Sequence, residues 1–375
     1  MQYGEGKEDS MWPYFLLIFI IFLLQFKYGN GGKSKIRFYV GLIILFLFAA
    51  LRGVSNGDYD AYLTRGKEID SLYKIIYNNT NMEIGYCFLY YLINLFHLPE
   101  QTIIISMNFI SILCISKFIN KYSENKCLSL LLFLPLYFQF DMQAARTAVA
   151  ISITVLGVNY IFKRRFFFFC LTIFWAMLFH RSAVVVFPLY FIYNLRVSLL
   201  GGLTSIVASV CYVKLIGMDN TVLYILKTLK LNNFYAKYFG YVNNKRFGYP
   251  FSLVDPRLLL CILVYVASKM ICKNSNKAER FFINCGLMNV LIMILFSEHT
   301  IFCCRLSAYF NVYCIIIVPL ILKKIYTLQC TKNKNGAVRS FREVKLLTVA
   351  FYALYGMVYA YVCFISLGLN YKFFF

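Results

Sequence analysis

Charge is scarce in this chain. Of its 375 residues, 14% are Asp, Glu, Lys or Arg and 61% are hydrophobic, and the apolar runs recur from end to end. Once those runs are set aside, no stretch of soluble-domain size remains. The expectation is an all-α, polytopic membrane protein, a single integral domain over residues 1–375. The chain has no P-loop, no dinucleotide GxGxxG, no HExxH and no GxSxG, so nucleotide-binding, zinc-hydrolase and serine-hydrolase chemistry find no motif. Nor does it have a paired CxxC or a His/Cys ligand spacing. Its thirteen cysteines sit mainly inside apolar segments, as at Cys114, Cys170, Cys211, Cys261 and Cys285. They read as small apolar packers, and neither a disulfide framework, a metal site nor a cofactor is expected. There is no periodic internal repeat, and Lys214 and Lys269 are the charges nearest to mid-span, which argues against an ion-coupled carrier with a proton relay. The opening MQYGEGKEDSMWPYFLL carries no basic n-region and no small-residue cleavage signature, so its apolar run is expected to be a retained span.

What is present is a series of apolar runs at roughly 12–27, 36–51, 83–97, 101–118, 127–141, 145–162, 166–180, 182–195, 198–217, 257–272, 281–297, 303–322 and 346–367. A helix needs about 20 residues to cross a bilayer core of about 30 Å, so several of these are lower bounds. The formal charge of +22 is distributed in short clusters between the runs, at Lys27–Arg37, Lys117–Lys126, Lys163–Arg165, Lys273–Arg280 and Lys323–Lys345. These are orientation signals that belong in the cytoplasm, and no nucleic-acid partner is expected. Three runs lie between the first two clusters, where an even number is required. The simplest repair leaves 83–97 re-entrant or interfacial, which gives about twelve spans with both termini outside.

With that orientation, the unusual polar residues fall on the outer face. They are Arg52, Gly57, Asp58 and Tyr59 in a first outer loop, 52–82, then Glu83 and Gly85, Gln143 and Arg146, and His180 and Arg181. A large loop at 218–256 and Glu298, His299 and Arg305 complete the set. Each has a plain structural reading beside the functional one. Arg52 and Arg305 sit at helix ends, where a long side chain snorkels to the headgroups. His180 caps an outer turn with Ser182 as readily as it binds a ligand. Asp58 and Asp60 spell DxD, a weak metal signal, and Asn78 heads a sequon that matters only in a glycosylating compartment. Arg146 is harder to set aside, because it lies in a tight turn between closely spaced runs, where an arginine is costly and is kept for a partner.

These pieces, in order, resemble the EpsG-type and Wzy-type bacterial polysaccharide (O-antigen) polymerases. They are R-G-x(4)-D-Y-x(2)-Y at Arg52–Tyr62, E-I-G-Y-x-F-L-Y-Y-L-I at 83–93, A-x-R-T-A-V-A-I-S-I around Arg146, A-x-L-F-H-R-S-A-V at 176–184, and R-L-S-A-Y-F at 305–310. Two features depart from the pattern: Thr147 stands where Gln often follows the arginine, and Asp60 is acidic where many relatives are not. The resemblance implies an enzyme of the bacterial inner membrane with its active site facing the periplasm. It would transfer a growing glycan from an undecaprenyl diphosphate carrier onto the non-reducing end of a lipid-linked repeat unit. Its partners would be that lipid-linked oligosaccharide, membrane lipid and a chain-length regulator protein, with no nucleotide or metal required.

Such a reaction needs charge neutralisation at the departing diphosphate and a base for the acceptor hydroxyl. The guanidinium fork suits the first, so Arg146, Arg305 and then Arg52 are assigned to the diphosphate. For the base, His180 comes first, with Asp58 or Glu83 second. Tyr59, Gln143, Arg181 and Glu298 are the glycan-binding candidates. Tyr59, Tyr62, Tyr235, Tyr238, Tyr241 and Tyr249 suit sugar stacking and suit an interfacial belt equally. Alternating apolar and basic residues make 218–256 an amphipathic lid. Two other activities compete: a lipid-linked oligosaccharide flippase, which needs cations at mid-depth and on both sides, and a ligase that shares the diphosphate site and differs in its acceptor.

Overall fold

The computed structural model describes residues 11–26, 32–53, 58–77, 82–243, 249–332, 334–367 and 371, all of which fall in helices, turns or connections without a β-strand. Gly57 and Asn78 lie outside the described residues. The chain forms two compact units, one of Met1–Val158, Cys170–Ala183 and Leu328–Phe375, the other of Asn159–Phe169 and Val184–Thr327.

In the first unit, Thr102–Tyr122 packs along Ala145–Leu156 and against Gly32–Ala50, which also lies on Lys126–Leu136. Trp12–Phe26 packs on Lys334–Leu367. Asn125 starts Lys126–Leu136 by accepting the Leu128 amide at 3.2 Å, as an N-cap should. Pro135 lies inside that helix, where it has no N–H to give to the preceding turn, and the chain continues as a wider π-helical turn, Tyr137–Asp141. The interior is fastened by tyrosine hydroxyls on backbone carbonyls: Tyr137 donates to Leu45 at 2.7 Å, Tyr90 to Leu63 at 2.8 Å and Tyr371 to Phe48 at 2.9 Å. Each buries a large ring while satisfying its polar tip.

In the second unit, Lys277–Leu295 packs against Leu199–Leu215, Pro256–Ile271 and Thr300–Asn311. It opens with a capping box, Asn276 to the Glu279 amide and Glu279 back to the Asn276 amide. Leu199–Leu215 and Met218–Thr228 meet at a 73° bend centred on Gly217, whose φ is +82°.

Among the described residues, four helices are long and apolar enough to cross a membrane: Thr102–Tyr122, Ala145–Phe162, Lys277–Leu295 and Phe341–Val362. The number rises to six if the two bent pairs, Leu199–Leu215 with Met218–Thr228 and Thr300–Asn311 with Cys314–Leu328, each form one span. This is a helical membrane protein, with fewer full-length helices than the apolar runs suggest. Bends and short helices contribute to the difference among the described residues. Trp12–Gln25, Ile84–Leu95 and Phe166–Met177 are apolar but short, and 12 residues in Ile84–Leu95 make a helix of about 18 Å. The basic connection expected at 323–345 is instead largely helical, belonging to Cys314–Lys332 and Lys334–Leu367. Phe167, Leu200, Leu215 and Leu347 point outward, an apolar surface of the kind that lipid rather than water covers.

Candidate functional site

The chain leaves Gly32–Ala50 through Leu51 into Arg52, and a single amide side chain fixes that exit. Gln101 Nε2 donates to the carbonyls of Ala50 at 2.8 Å and Arg52 at 2.9 Å, while its Oε1 accepts the Tyr59 hydroxyl. Arg52 itself points inward and is 1% exposed, and none of its three guanidinium nitrogens has a hydrogen-bond partner among the described residues. The guanidinium carbon lies over the Tyr59 ring, 5.8 Å from its centroid. Burial lowers its pKa, opposed by the surrounding tyrosines, Tyr137 and Tyr14 first. Asp141, at the end of the π-helical turn, is also 1% exposed and within electrostatic reach of Arg52, and its Oδ1 has no partner among the described residues.

After Asp58 the chain enters the short helix Tyr59–Arg65. The Asp58 amide donates to the Gln143 carbonyl at 3.2 Å, which ties this helix to the turn before Ala145–Leu156. Tyr62 donates to Asp58 Oδ2 at 3.2 Å and receives the Arg146 amide at 3.4 Å. Arg146 in turn sets its guanidinium 5.5 Å from the Tyr62 ring and pairs through Nη1 with Glu83 Oε2. The side chains of that pair are 16% and 14% exposed, and Arg146 Nε is buried with no partner among the described residues. Burial, and after it the Asp58 charge, push Tyr62 up to about 12 against the pull of Arg146. The phenol therefore remains a neutral donor across the physiological range.

Glu83 stands at the N-cap of Ile84–Leu95. Two residues on, the Gly85 amide donates to the Leu178 carbonyl at 2.7 Å, which brings the 178–182 turn alongside. In that turn His180 Nδ1 pairs with Ser182 Oγ at 2.5 Å, and Arg181 is exposed. Of the nominated residues, Arg146, Glu83, Asp58 and Gln143 thus form one connected cluster, with His180 joined through the Gly85 contact. Gln143 contributes by its backbone, since its side chain donates to Phe138 at 3.1 Å in its own turn. Tyr59 is buried, with its hydroxyl on Gln101.

Arg305 and Glu298 belong to the second unit. Arg305 is half-buried on Thr300–Asn311 and makes no hydrogen bond or ion pair among the described residues. Glu298 Oε2 accepts the Asp219 amide at 2.9 Å and so closes the start of Met218–Thr228. Beside it, Asp219 Oδ2 pairs with His299 Nε2, and Tyr238 donates to Asp219 Oδ1 at 2.7 Å. Burial, followed by that hydrogen bond and the Asp219 and Glu298 charges, raises the Tyr238 pKa well above its ordinary value. The sequence gives no motif for Asp219. Its partner is 80 positions away, and a lone acidic residue in a long connection carries no spacing signal. Arg257 clamps Asp255 through Nε at 2.9 Å and Nη2 at 2.8 Å, and although burial acts to raise Asp255, this clamp holds it below its ordinary range.

Among the described residues, no group of three His, Cys, Asp or Glu side chains is arranged to hold a metal ion. A family model described as the EpsG family matches residues 35–374, nearly the whole chain. No curated protein and no solved structure matches.

Proposed function

The chain belongs to the EpsG family, and on that premise we propose that it is a membrane glycan polymerase that uses a lipid diphosphate-linked donor. It moves an undecaprenyl diphosphate-linked oligosaccharide onto the non-reducing end of a lipid-linked repeat unit, at the periplasmic face of the inner membrane and without a metal. The observation that carries this reading is Arg146. It is a mostly buried guanidinium oriented by Tyr62, with one nitrogen on Glu83 and another, Nε, unused among the described residues. A permanent cation with a spare donor in a low-dielectric setting suits a diphosphate whose charge grows as the glycosidic bond breaks. Glu83 holds the guanidinium in place until the diphosphate competes for it.

Arg305, half-buried on its own helix, is a phosphate-binding candidate within its unit, and Arg52 is a reserve cation beneath Tyr59. Arg181 and Glu298 remain glycan-binding candidates. The topology that suits this chemistry has about twelve spans, with 83–97 re-entrant and 218–256 a lid on the outer leaflet. The short Ile84–Leu95 and the bend at Gly217 support those two assignments. Among the bases, His180 Nδ1 is taken by Ser182, Glu83 by Arg146 and Asp58 by Tyr62.

The test is extension in vitro. Purified protein receives a lipid diphosphate-linked repeat unit with no nucleotide sugar and no added metal, and the products are sized on a gel. A ladder of evenly spaced glycans is expected. Transfer of carrier-linked substrate across vesicle bilayers with no ladder would replace the polymerase with a flippase.

A further inference from the structure

We infer that Asp219 and His299 form a catalytic dyad in which His299 Nδ1 takes the proton of a glycan acceptor hydroxyl; this rests on the polymerase reading. In the neutral form of the imidazole, the pairing decides which nitrogen carries the hydrogen. A carboxylate can only accept, so the neutral imidazole bonded to Asp219 Oδ2 carries its hydrogen on Nε2 and leaves the lone pair on Nδ1. That nitrogen is buried and has no partner among the described residues, in a side chain only 6% exposed. A buried acceptor with nothing to accept is a place prepared for a donor, and a sugar hydroxyl is a donor of the right size.

The support around the dyad is what a positioned base requires. Tyr238 donates to the other Asp219 oxygen at 2.7 Å and fixes the carboxylate, while Glu298 takes the Asp219 backbone amide at 2.9 Å and fixes the main chain that carries it. The Phe302 ring stands edge-on to the imidazole at 6.1 Å and stacks with Tyr238 at 5.2 Å. The charged and titratable groups on the elements around His299 are Asp219, Tyr224 and Lys227 on Met218–Thr228, Tyr235, Lys237, Tyr238 and Tyr241 on Asn232–Val242, Tyr249 and Glu298, together with the Asp255–Arg257 pair, whose Arg257 Nη1 reaches Cys304 Sγ at 3.8 Å, and Cys303 and Arg305 on its own helix. In the reaction, the acceptor O–H bond breaks and its proton passes to Nδ1. The acceptor oxygen bonds to the anomeric carbon, and the carbon–oxygen bond to the diphosphate breaks, its electron pair leaving with the diphosphate. The imidazolium, stabilised by Asp219, then returns its proton to water. Asp219 is a positioning residue throughout.

The experiment measures glycan extension against pH for the full chain in nanodiscs, as wild type, H299N and D219N, with melting temperature and binding of the lipid diphosphate-linked repeat unit measured in parallel. H299N is expected to lose extension by roughly 10²- to 10⁴-fold while binding and melting are kept. D219N presents an amide that donates to Nε2 and drives the proton onto Nδ1. It is expected to lose a similar factor, and the acid limb of its residual activity moves to lower pH. A dyad that only pins the segment would lower the melting temperature and leave the pH profile of the folded protein alone, and that result, or wild-type extension by H299N, overturns the proposal. Wild-type protein that extends no lipid diphosphate-linked glycan overturns the polymerase reading instead. If H299N does not fold, the ¹⁵N imidazole spectrum of the H97Q/H180Q chain reads the tautomer without any activity. A bare Nδ1 with a protonated Nε2 supports the dyad, and the reverse overturns it.

Discussion

The Gly85 amide and the Leu178 carbonyl meet at 2.7 Å, and a Cβ placed at position 85 would stand 2.8 Å from that same oxygen. Glycine is thus required by the approach of two backbones and not by a turn. Gly85→Ala is expected to push the 178–182 turn away, costing about 1–3 kcal/mol of stability and displacing His180 from the Glu83 end of the cluster. Melting temperature and extension rate should fall together. A variant equal to wild type in both would remove the contact from any account of the site.

Arg146 and Glu83 should be unequal in substitution. Arg146→Ala leaves a mostly buried carboxylate unpaired, a loss on the order of 3–5 kcal/mol, and abolishes extension. Arg146→Lys keeps the charge without the fork and is expected to fold but to extend poorly. Glu83→Gln should bind the lipid diphosphate-linked substrate at least as tightly as wild type, because the competing anion is gone. Binding weakened tenfold or more in E83Q would show that Glu83 is not a competitor for the guanidinium.

Arg52 gives a counterintuitive expectation. Its guanidinium is sealed in without hydrogen bonds among the described residues, and the buried acid within its electrostatic reach is Asp141, so Arg52→Met combined with Asp141→Asn, which removes both buried groups' charge, should fold as well as wild type or gain up to about 1–4 kcal/mol. Thermal unfolding in detergent measures this. A marked drop in melting temperature would mean that the buried charge is satisfied by a group bound there.

Tyr62 provides a pH signature. Its hydroxyl is pushed up to about 12, above the value near 10 of an unfolded tyrosine. The folded state therefore holds this proton more tightly. The resulting stability is fully present below pH 10 or so, and falls as pH rises from about 10 to about 12, by roughly 2–3 kcal/mol. Tyr62→Phe removes that slope and costs about 1 kcal/mol at neutral pH through the lost bond to Asp58. Alkaline unfolding curves of the two proteins, superimposable above pH 10, would refute the assignment.

The class of molecule is legible in the composition, because 61% hydrophobic residues in recurrent runs leave no other solution than membrane helices. Arg146 and Glu83 both stand out by their unusual positions, and the structure pairs them across 63 positions of sequence. Their partnership is not legible, since it depends on Tyr62 and on the way Gly85 seats its helix. Apolar runs outnumber the full-length helices among the described residues because a run does not show where a helix bends, as at Gly217, or stops short, as at Ile84–Leu95. Arg52 is conspicuous by its place at a helix end, but its burial depends on Gln101, which reaches it from 49 positions away. Asp219 leaves no trace, because its environment is made wholly by Tyr238, Glu298 and His299 after folding.

The π-helical turn at Tyr137–Asp141 amounts to one residue too many for its stretch of helix. Deleting a single residue there would let the backbone close into ordinary α-helix and rotate the downstream backbone by about 100°, carrying Asp141 away from Arg52. Regular winding and the present placing of Asp141 within electrostatic reach of Arg52 are alternatives at this point in the chain.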